Sequence, residues 1–438
     1  MPVMTAESRR CTAALVLAAL PLLFPSAVAD AKADKAAYER NQKLLEAEMR
    51  KQEVDNPLLL PEMLPAYQAV RKEWTNLLTN GTDGRNPNDL KTLRTALDLR
   101  LFTLSTPLPA KDLGIALTTV RREFKRAGAG IENASRKSQF RRLLFDESIP
   151  RLKKMLTGSF MSRSMAIELL ADLEVVQRNP INPRIRLEFH PEVDTLFVEI
   201  LKDPKQSDSV KTRVTNSVSN FLQKTDIKPT VQLPIAIELV REVGKEHSSV
   251  GYQDSLLWAL EEFSVARELG DNERALIMDA AATILADPDR DIIVRCHAAG
   301  VMGRAGFDNR TRFDATAWMS ARLTEELFVA FAQAKPADRA NRKWQNCAAH
   351  VLRCYRHWGK DERSTNEPGL PKGLMNRAPK NQAVNNAFVV VEPLLTEIFS
   401  GQPGRDAAAS LQALGDWIEK NQPPVMTYDT NSPPFNVN

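Results

Sequence analysis

Between Ile284 and Phe307 the chain reads "ILADPDRDIIVRCHAAGVMGRAGF". Apolar positions at helical spacing give way to a short acidic turn and then resume. At 100° per residue, Val294, Ala298, Val301, Met302 and Ala305 fall on one stripe about 100° wide, which predicts a helix with one buried face. Ala298 lies within that stripe, where a small side chain lets a neighbouring helix approach closely. Asp289 and Asp291 stand where an N-cap and the positive end of the helix dipole favour carboxylates. Arg295 lies about 60° beyond the edge of the stripe, which predicts a peripheral side chain.

The pattern returns along the chain. "VKTRVTNSVSNFL" from Val210, "YQDSLLWALEEF" from Tyr252 and "VRCHAAGVMG" from Val294 begin at intervals of 42 residues. "ILKDP" at Ile200–Pro204 recurs as "ILADP" at Ile284–Pro288. Weaker copies flank them: "MAIELLADLEVV" from Met165, and "WQNCAAHVLRCY" from Trp344, 50 residues after Val294. Each copy follows another apolar-periodic segment, such as "QLPIAIELVREV" or "RALIMDAAATILAD". Two helices in about 40–47 residues is the period of a helical repeat.

The Asp-rich turn, Val294-Arg295, Ala298-Ala299 and Met302-Gly303 together resemble the helix-to-helix join of the HEAT-repeat (HEAT/armadillo-like α-solenoid) family. The resemblance covers Ser148 to about Trp358, with one strong copy and four degenerate ones. It implies an all-α fold, an α-α superhelix in which helical pairs stack as a HEAT-like solenoid, with an irregular helical N-terminal cap. Such arrays present extended surfaces to other proteins. The expected layout is a signal peptide at 1–29, a charged helical arm at 30–56, and an N-terminal helical cap at 57–147. HEAT-like repeats follow at 148–360, a Pro/Gly-rich loop at 361–383, a helical pair at 384–420 and an extended tail at 421–438.

Composition agrees with a helical globular chain: 438 residues, 43% hydrophobic, 26% charged and only 6% aromatic. Arg9 and Arg10, the apolar run "CTAALVLAALPLLFPSAVA" and Ala27-Val28-Ala29 form a cleavable export signal, so the expected location is secreted or periplasmic. No later segment is long and apolar enough to span a membrane. The mature chain keeps Cys296, Cys347 and Cys354, too few and too odd a number for a disulfide framework. Cys347 and Cys354 sit two turns apart on one helix and cannot bridge each other. A Cys296 bond to either stays open.

Chemistry is sparse. There is no phosphate loop, no H-E-x-x-H, no C-x-x-C and no G-x-S-x-G. "DPDRD" begins like a calcium loop, but Ile292 and Ala298 stand where that loop needs Gly and Glu. Cys347, His350, Cys354 and His357 share one side of one helix. Four ligands there would span about 15 Å of rise, too long for one tetrahedron without His297 from the preceding unit. Helical angles place the cysteines in the core stripe and the histidines on its rim. No metal, cofactor or catalytic residue is expected. Charge is segregated within an overall net charge of +4. Residues 121–186 carry fifteen Lys/Arg against seven Asp/Glu, and residues 238–291 carry five against thirteen. These runs predict a charged surface that orients a partner. The expected function is an exported non-catalytic scaffold or adaptor for a protein partner, not for nucleic acid. Two alternatives stay open: an envelope enzyme with a site in the 361–383 loop or the 57–126 region, and a metal carrier using the Cys/His cluster at 347–357.

Overall fold

The computed structural model describes residues 63–423 apart from 107–109, 178–186, 224–226, 246–247, 269–273, 309 and 357–371. The signal peptide, the arm, His357, residues 361–371 of the loop and most of the tail lie outside the described residues. The fold is all-α, with one two-stranded ribbon among the described residues. The chain divides after Asp226 into two compact units, a boundary that falls inside the 148–360 run.

The first unit contains α1 (Met63–Asn80), α2 (Pro87–Phe102), α3 (Ala110–Arg126), α4 (Ala134–Leu156), α5 (Phe160–Leu170), α6 (Glu192–Lys202) and α7 (Asp208–Gln223). Helix starts follow local chemistry. Asn86, Asn133 and Ser159 each accept a backbone N–H of the first turn, at 3.0, 2.9 and 3.2 Å. The turn "TNGTDG" needs Gly81 at φ 70, where a Cβ would lie 2.6 Å from Ile131 Cδ1. Trp74, Leu97, Phe124, Phe145 and Leu152 form part of the core.

Buried Arg141 staples this unit. Its Nε donates to Glu174 O at 2.6 Å and its Nη1 to Phe124 O at 2.7 Å. Burial pulls its pKa down to about 10. Continuous helix was expected through "MAIELLADLEVV". Instead α5 stops at Leu170, and β1 (Glu174–Val176) pairs antiparallel with β2 (Glu188–Phe189). The β-branched pair Val175-Val176 suits a strand. Arg121 also holds buried Asp172 at 2.6 Å, which fixes the exit from the helix.

The second unit contains α8 (Pro229–Val243), α9 (Val250–Leu260), α10 (Leu276–Ala286), α11 (Ile292–Arg304), α12 (Phe313–Gln333), the short α13 (Pro336–Arg339), α14 (Arg342–Tyr355), the short α15 (Leu374–Arg377), α16 (Gln382–Ser400) and α17 (Ala407–Lys420). Contacts run in two rows: α8 against α10 and α10 against α12, then α9 against α11 and α11 against α14. Within each pair, α8 packs on α9, α10 on α11 and α12 on α14. Helix α16 packs on both α12 and α14, and α17 packs on α16 and α12. The long α12 and the added α13 account for the wider 50-residue spacing before Trp344.

The repeated turn is repeated in atoms. Asp203 and Asp287 follow α6 and α10 in similar backbone conformations. Each carboxylate accepts a backbone N–H two residues on, at 2.9 and 3.0 Å. Asp291 caps α11 by accepting Ile293 N–H at 2.9 Å, and Ser249 caps α9 at the position 42 residues earlier. Arg290 reaches back to Val243 O at 3.3 Å and Gln253 Oε1 at 3.0 Å, tying the turn to the preceding pair.

Arg295 overturns its expected peripheral place. It is 6% exposed, donates to Leu285 O at 2.9 Å and forks onto Glu326 of α12 at 2.5 and 2.7 Å. Helix α11 is buried on every side from Ile293 to Arg304 rather than along one stripe, and the neighbouring α12 supplies the carboxylate that Arg295 meets. The closest approach lies between α11 and α14. A Cβ at Gly303 would overlap the Cys354 carbonyl, and one at Gly300 would sit 3.2 Å from His350 O.

That approach generates a prediction. Gly303→Ala must push backbone away from backbone and should cost about 3 kcal/mol of stability. Gly251 in α9 has open space around its Cα, so Gly251→Ala should be neutral or stabilise by about 0.5–1 kcal/mol. Urea unfolding of both variants measures the difference, and equal small effects would disprove the close approach.

Candidate functional site

Three second-row helices bring their charged residues to one buried place. Asp254 and Trp258 are one turn apart on α9, and Glu261 follows the end of that helix. Helix α11 supplies His297 and Arg304, two turns apart, and α14 supplies His350 and Arg353. His297, Glu261 and Arg304 are each sealed from solvent.

His297 sits between two carboxylates. Its Nδ1 is 2.7 Å from Asp254 Oδ1 and its Nε2 is 3.2 Å from Glu261 Oε1. Burial pulls its pKa down, but Asp254 and Glu261 more than offset this and raise it. Glu261 also takes Arg304 Nε at 2.9 Å and the guanidinium of Arg353. Burial opposes its ionisation. Arg353, His297 and Arg304 nonetheless hold its carboxyl well below the usual range. Asp254 is likewise lowered, burial being outweighed by His297.

His350 behaves differently. Its ring stacks on His297 with centroids 4.0 Å apart and planes 20° apart. Burial, and then the charge on His297, push its pKa down to about 3, so it is neutral at physiological pH. Trp258 closes the side of the cluster. Its ring meets the edges of both imidazoles at 4.9 and 5.6 Å and lies 4.0 Å under the Arg353 guanidinium. Next to the cluster, Lys372 pairs with Glu262, and the Gly373 N–H donates to Gly303 O at 2.8 Å. Arg377 donates to Ala305 O at 2.5 Å and to Arg304 O at 2.9 Å. The described end of the Pro/Gly-rich loop is thus tied to the end of α11.

This placement corrects the reading of His350 as a rim residue, while His357, read the same way, lies outside the described residues. His350 is 6% exposed and packs on fully buried His297, because α9 supplies an acid and an indole to cover them. The cysteines are core residues, as expected. All three thiols are free and buried. Burial pushes Cys354 up to about 12, and burial with the nearby Cys347 raises Cys296. Asp254, Glu261, Arg304 and Arg353 were not anticipated. Their signal was the shortage of cations within 238–291, which required partners from later helices.

A concavity of about 310 Å³ lies in the first unit and is lined by Arg121, Glu168, Arg213, Asn216 and Asn220, among others. Glu168 lies 3.6 Å from Arg213, and Arg121 is held by Asp172. Its acids are therefore already committed to ion pairs.

The buried cluster is sensitive to loss of one charge. Glu261→Gln would leave Arg304 and Arg353 without the carboxylate that pairs with both, and His297 with Asp254 alone. It should cost about 3–5 kcal/mol, read as a lower urea midpoint. Glu326→Gln, at a half-exposed ion pair, should cost about 1 kcal/mol or less. A Glu261 effect no larger than that of Glu326 would show that the cluster is not sealed.

No protein-family model matches the chain, and no curated protein matches it significantly.

Proposed function

We propose that this chain is a non-catalytic helical scaffold, a HEAT-like α-solenoid, that holds an acidic protein partner through exposed cations of α3 and α4. The observation that carries this reading is the set Arg122, Lys125, Arg126, Arg136 and Arg142. All five are exposed and make no ion pair among the described residues. Other cations of the same run have structural duties: Arg141 staples backbone carbonyls, Arg151 holds Asp98 at 2.6 Å, and Lys153 pairs with Glu192. The five are left over once those duties are met. Concentrated like charge raises the local potential and speeds encounter with an acidic partner. Its reach is about 8–10 Å at physiological ionic strength.

The chain-order stacking of pairs in the second unit supports the solenoid part of the reading, since such stacks present surface rather than enclose a site. The export part rests on the n-region, apolar run and Ala27-Val28-Ala29. It also makes a protein partner a better fit than nucleic acid.

Arg122→Gln, Lys125→Gln and Arg126→Gln together should leave helicity and melting temperature unchanged. Arg121 is spared because it anchors Asp172. Capture of partners from a native envelope extract should fall several-fold at low salt and lose its salt dependence, mainly through slower association. Equal capture by variant and wild type at both salts would dismiss these cations as the docking site. Export has its own check: N-terminal sequencing of the exported protein should begin at Asp30, and an intact Met1 in a membrane fraction would refute processing.

A further inference from the structure

We propose that the concavity between α3, α5 and α7 binds a small zwitterion, the ammonium and carboxylate of a free α-amino acid. Its volume is about 310 Å³. Ligand pockets begin at about 300 Å³, so this one suits a small molecule rather than a chain.

One face of α7 forms a wall. Arg213, Asn216, Ser217 and Asn220 stand at i, i+3, i+4 and i+7, the spacing of neighbours on a helix surface, and all four line the cavity. Helix α5 contributes Glu168 and α3 contributes Arg121. The wall's hydrogen-bonding capacity is unspent. Among the described residues, the side chains of Asn216, Ser217 and Asn220 make no hydrogen bond, although Ser217 is only 4% exposed. Each amide offers two N–H donors and a carbonyl acceptor, and the hydroxyl both donates and accepts. Their partner has to come from the cavity.

Charge selects the ligand. Arg121 turns Nε and Nη2 to Asp172, at 2.6 and 3.5 Å, and Asp172 is sealed from solvent behind it. Glu168 Oε1 stands 3.6 Å from Arg213 Nη1, an ion pair too long for a hydrogen bond. Positive and negative groups therefore balance around the cavity. A lone anion or a lone cation would add a charge that nothing answers, whereas a zwitterion adds none. Its ammonium meets Glu168 and its carboxylate meets Arg213, antiparallel to the protein pair, so that charges alternate around a ring of four. Arg121 Nη1, which Asp172 does not take, is left for the second carboxylate oxygen. An α-amino acid carries both charges on one carbon, a spacing that matches so close a protein pair. Ala171 is the one apolar residue of the described lining, so the ligand's own side chain is small or polar.

The lining shares no residue with the proposed docking set on α3 and α4, so either reading can fail alone. Isothermal titration of the full chain with glycine, L-alanine and L-serine reads binding directly. At least one should bind at one molecule per chain. Acetate, methylamine and γ-aminobutyrate present one charge, or two at a longer spacing, and should bind at least about tenfold more weakly. Glu168→Gln keeps the shape of the wall and removes the ammonium's partner, and should weaken binding about tenfold or more. Asn216→Ala with Asn220→Ala, both exposed on α7, keeps the test decisive if Glu168→Gln fails to fold, and should cost about tenfold. The Arg122, Lys125 and Arg126 variant should bind as wild type does. Failure of all three amino acids to bind would overturn the proposal. So would equal binding of acetate or methylamine, or wild-type affinity in the folded cavity variants.

Discussion

The contact on which the second unit depends is the approach of α11 to α14 at Gly300 and Gly303. The backbone of α14 occupies the space that a side chain on Gly303 would fill, and a Cβ on Gly300 would press on Glu261 Oε1 at 3.0 Å and on His350 O at 3.2 Å. Ala298 and Ala299 on the same helix are also fully buried, so no large residue props the helices apart. At that separation water cannot enter, and the polar residues bordering the contact are sealed with it. Every charge there has to be answered by another. Glu261 answers Arg304 and Arg353, and Asp254 answers His297. Close packing and charge neutrality are therefore one constraint: the glycines create the dry environment, and dryness makes an unmatched charge expensive.

What was legible in the sequence was local or periodic. Asp291 caps its helix, the 42-residue interval recurs in the caps of α9 and α11, and the "ILKDP" and "ILADP" turns close through the same side-chain bond. These features depend on residues a few positions apart. Arg295 shows the limit. Its angle set it off the apolar stripe, yet α11 is buried on every side, and an angle says where a side chain points and not what it meets. Glu326 lies 31 residues on, in α12, and no periodicity on α11 could have named it. The ribbon at Glu174–Val176 was missed for the same reason, since its partner lies across residues 178–186.

The two charge runs illustrate the point with opposite outcomes. The excess of acids in 238–291 reads as a surface, yet Glu242 and Glu261 are buried, and Glu261 is matched by Arg304 and Arg353 from outside the window. Stacked pairs place ionic partners a repeat or two away, from 43 residues for Glu261–Arg304 to 110 for Glu262–Lys372. A window of one repeat therefore counts the acids and omits their cations. The basic run survives the same scrutiny. After Arg121, Arg141 and Arg151 are assigned to structural bonds, exposed cations remain on α3 and α4. Equal and opposite balances along the chain thus describe two different things, an internal network and an external field.

Burial also settles how free thiols fit the proposed export. An oxidising compartment threatens cysteine through its thiolate, the species that attacks disulfides and is itself oxidised. Cys354 is held up to about 12 by burial, and Cys296 is raised by burial and by Cys347 beside it. Both lie on the same α11–α14 contact that the glycines close. Little thiolate forms at neutral pH, and no oxidant reaches it without opening that contact. The close approach that obliges Glu261 to find two guanidiniums therefore also buries the thiols and disfavours their ionisation.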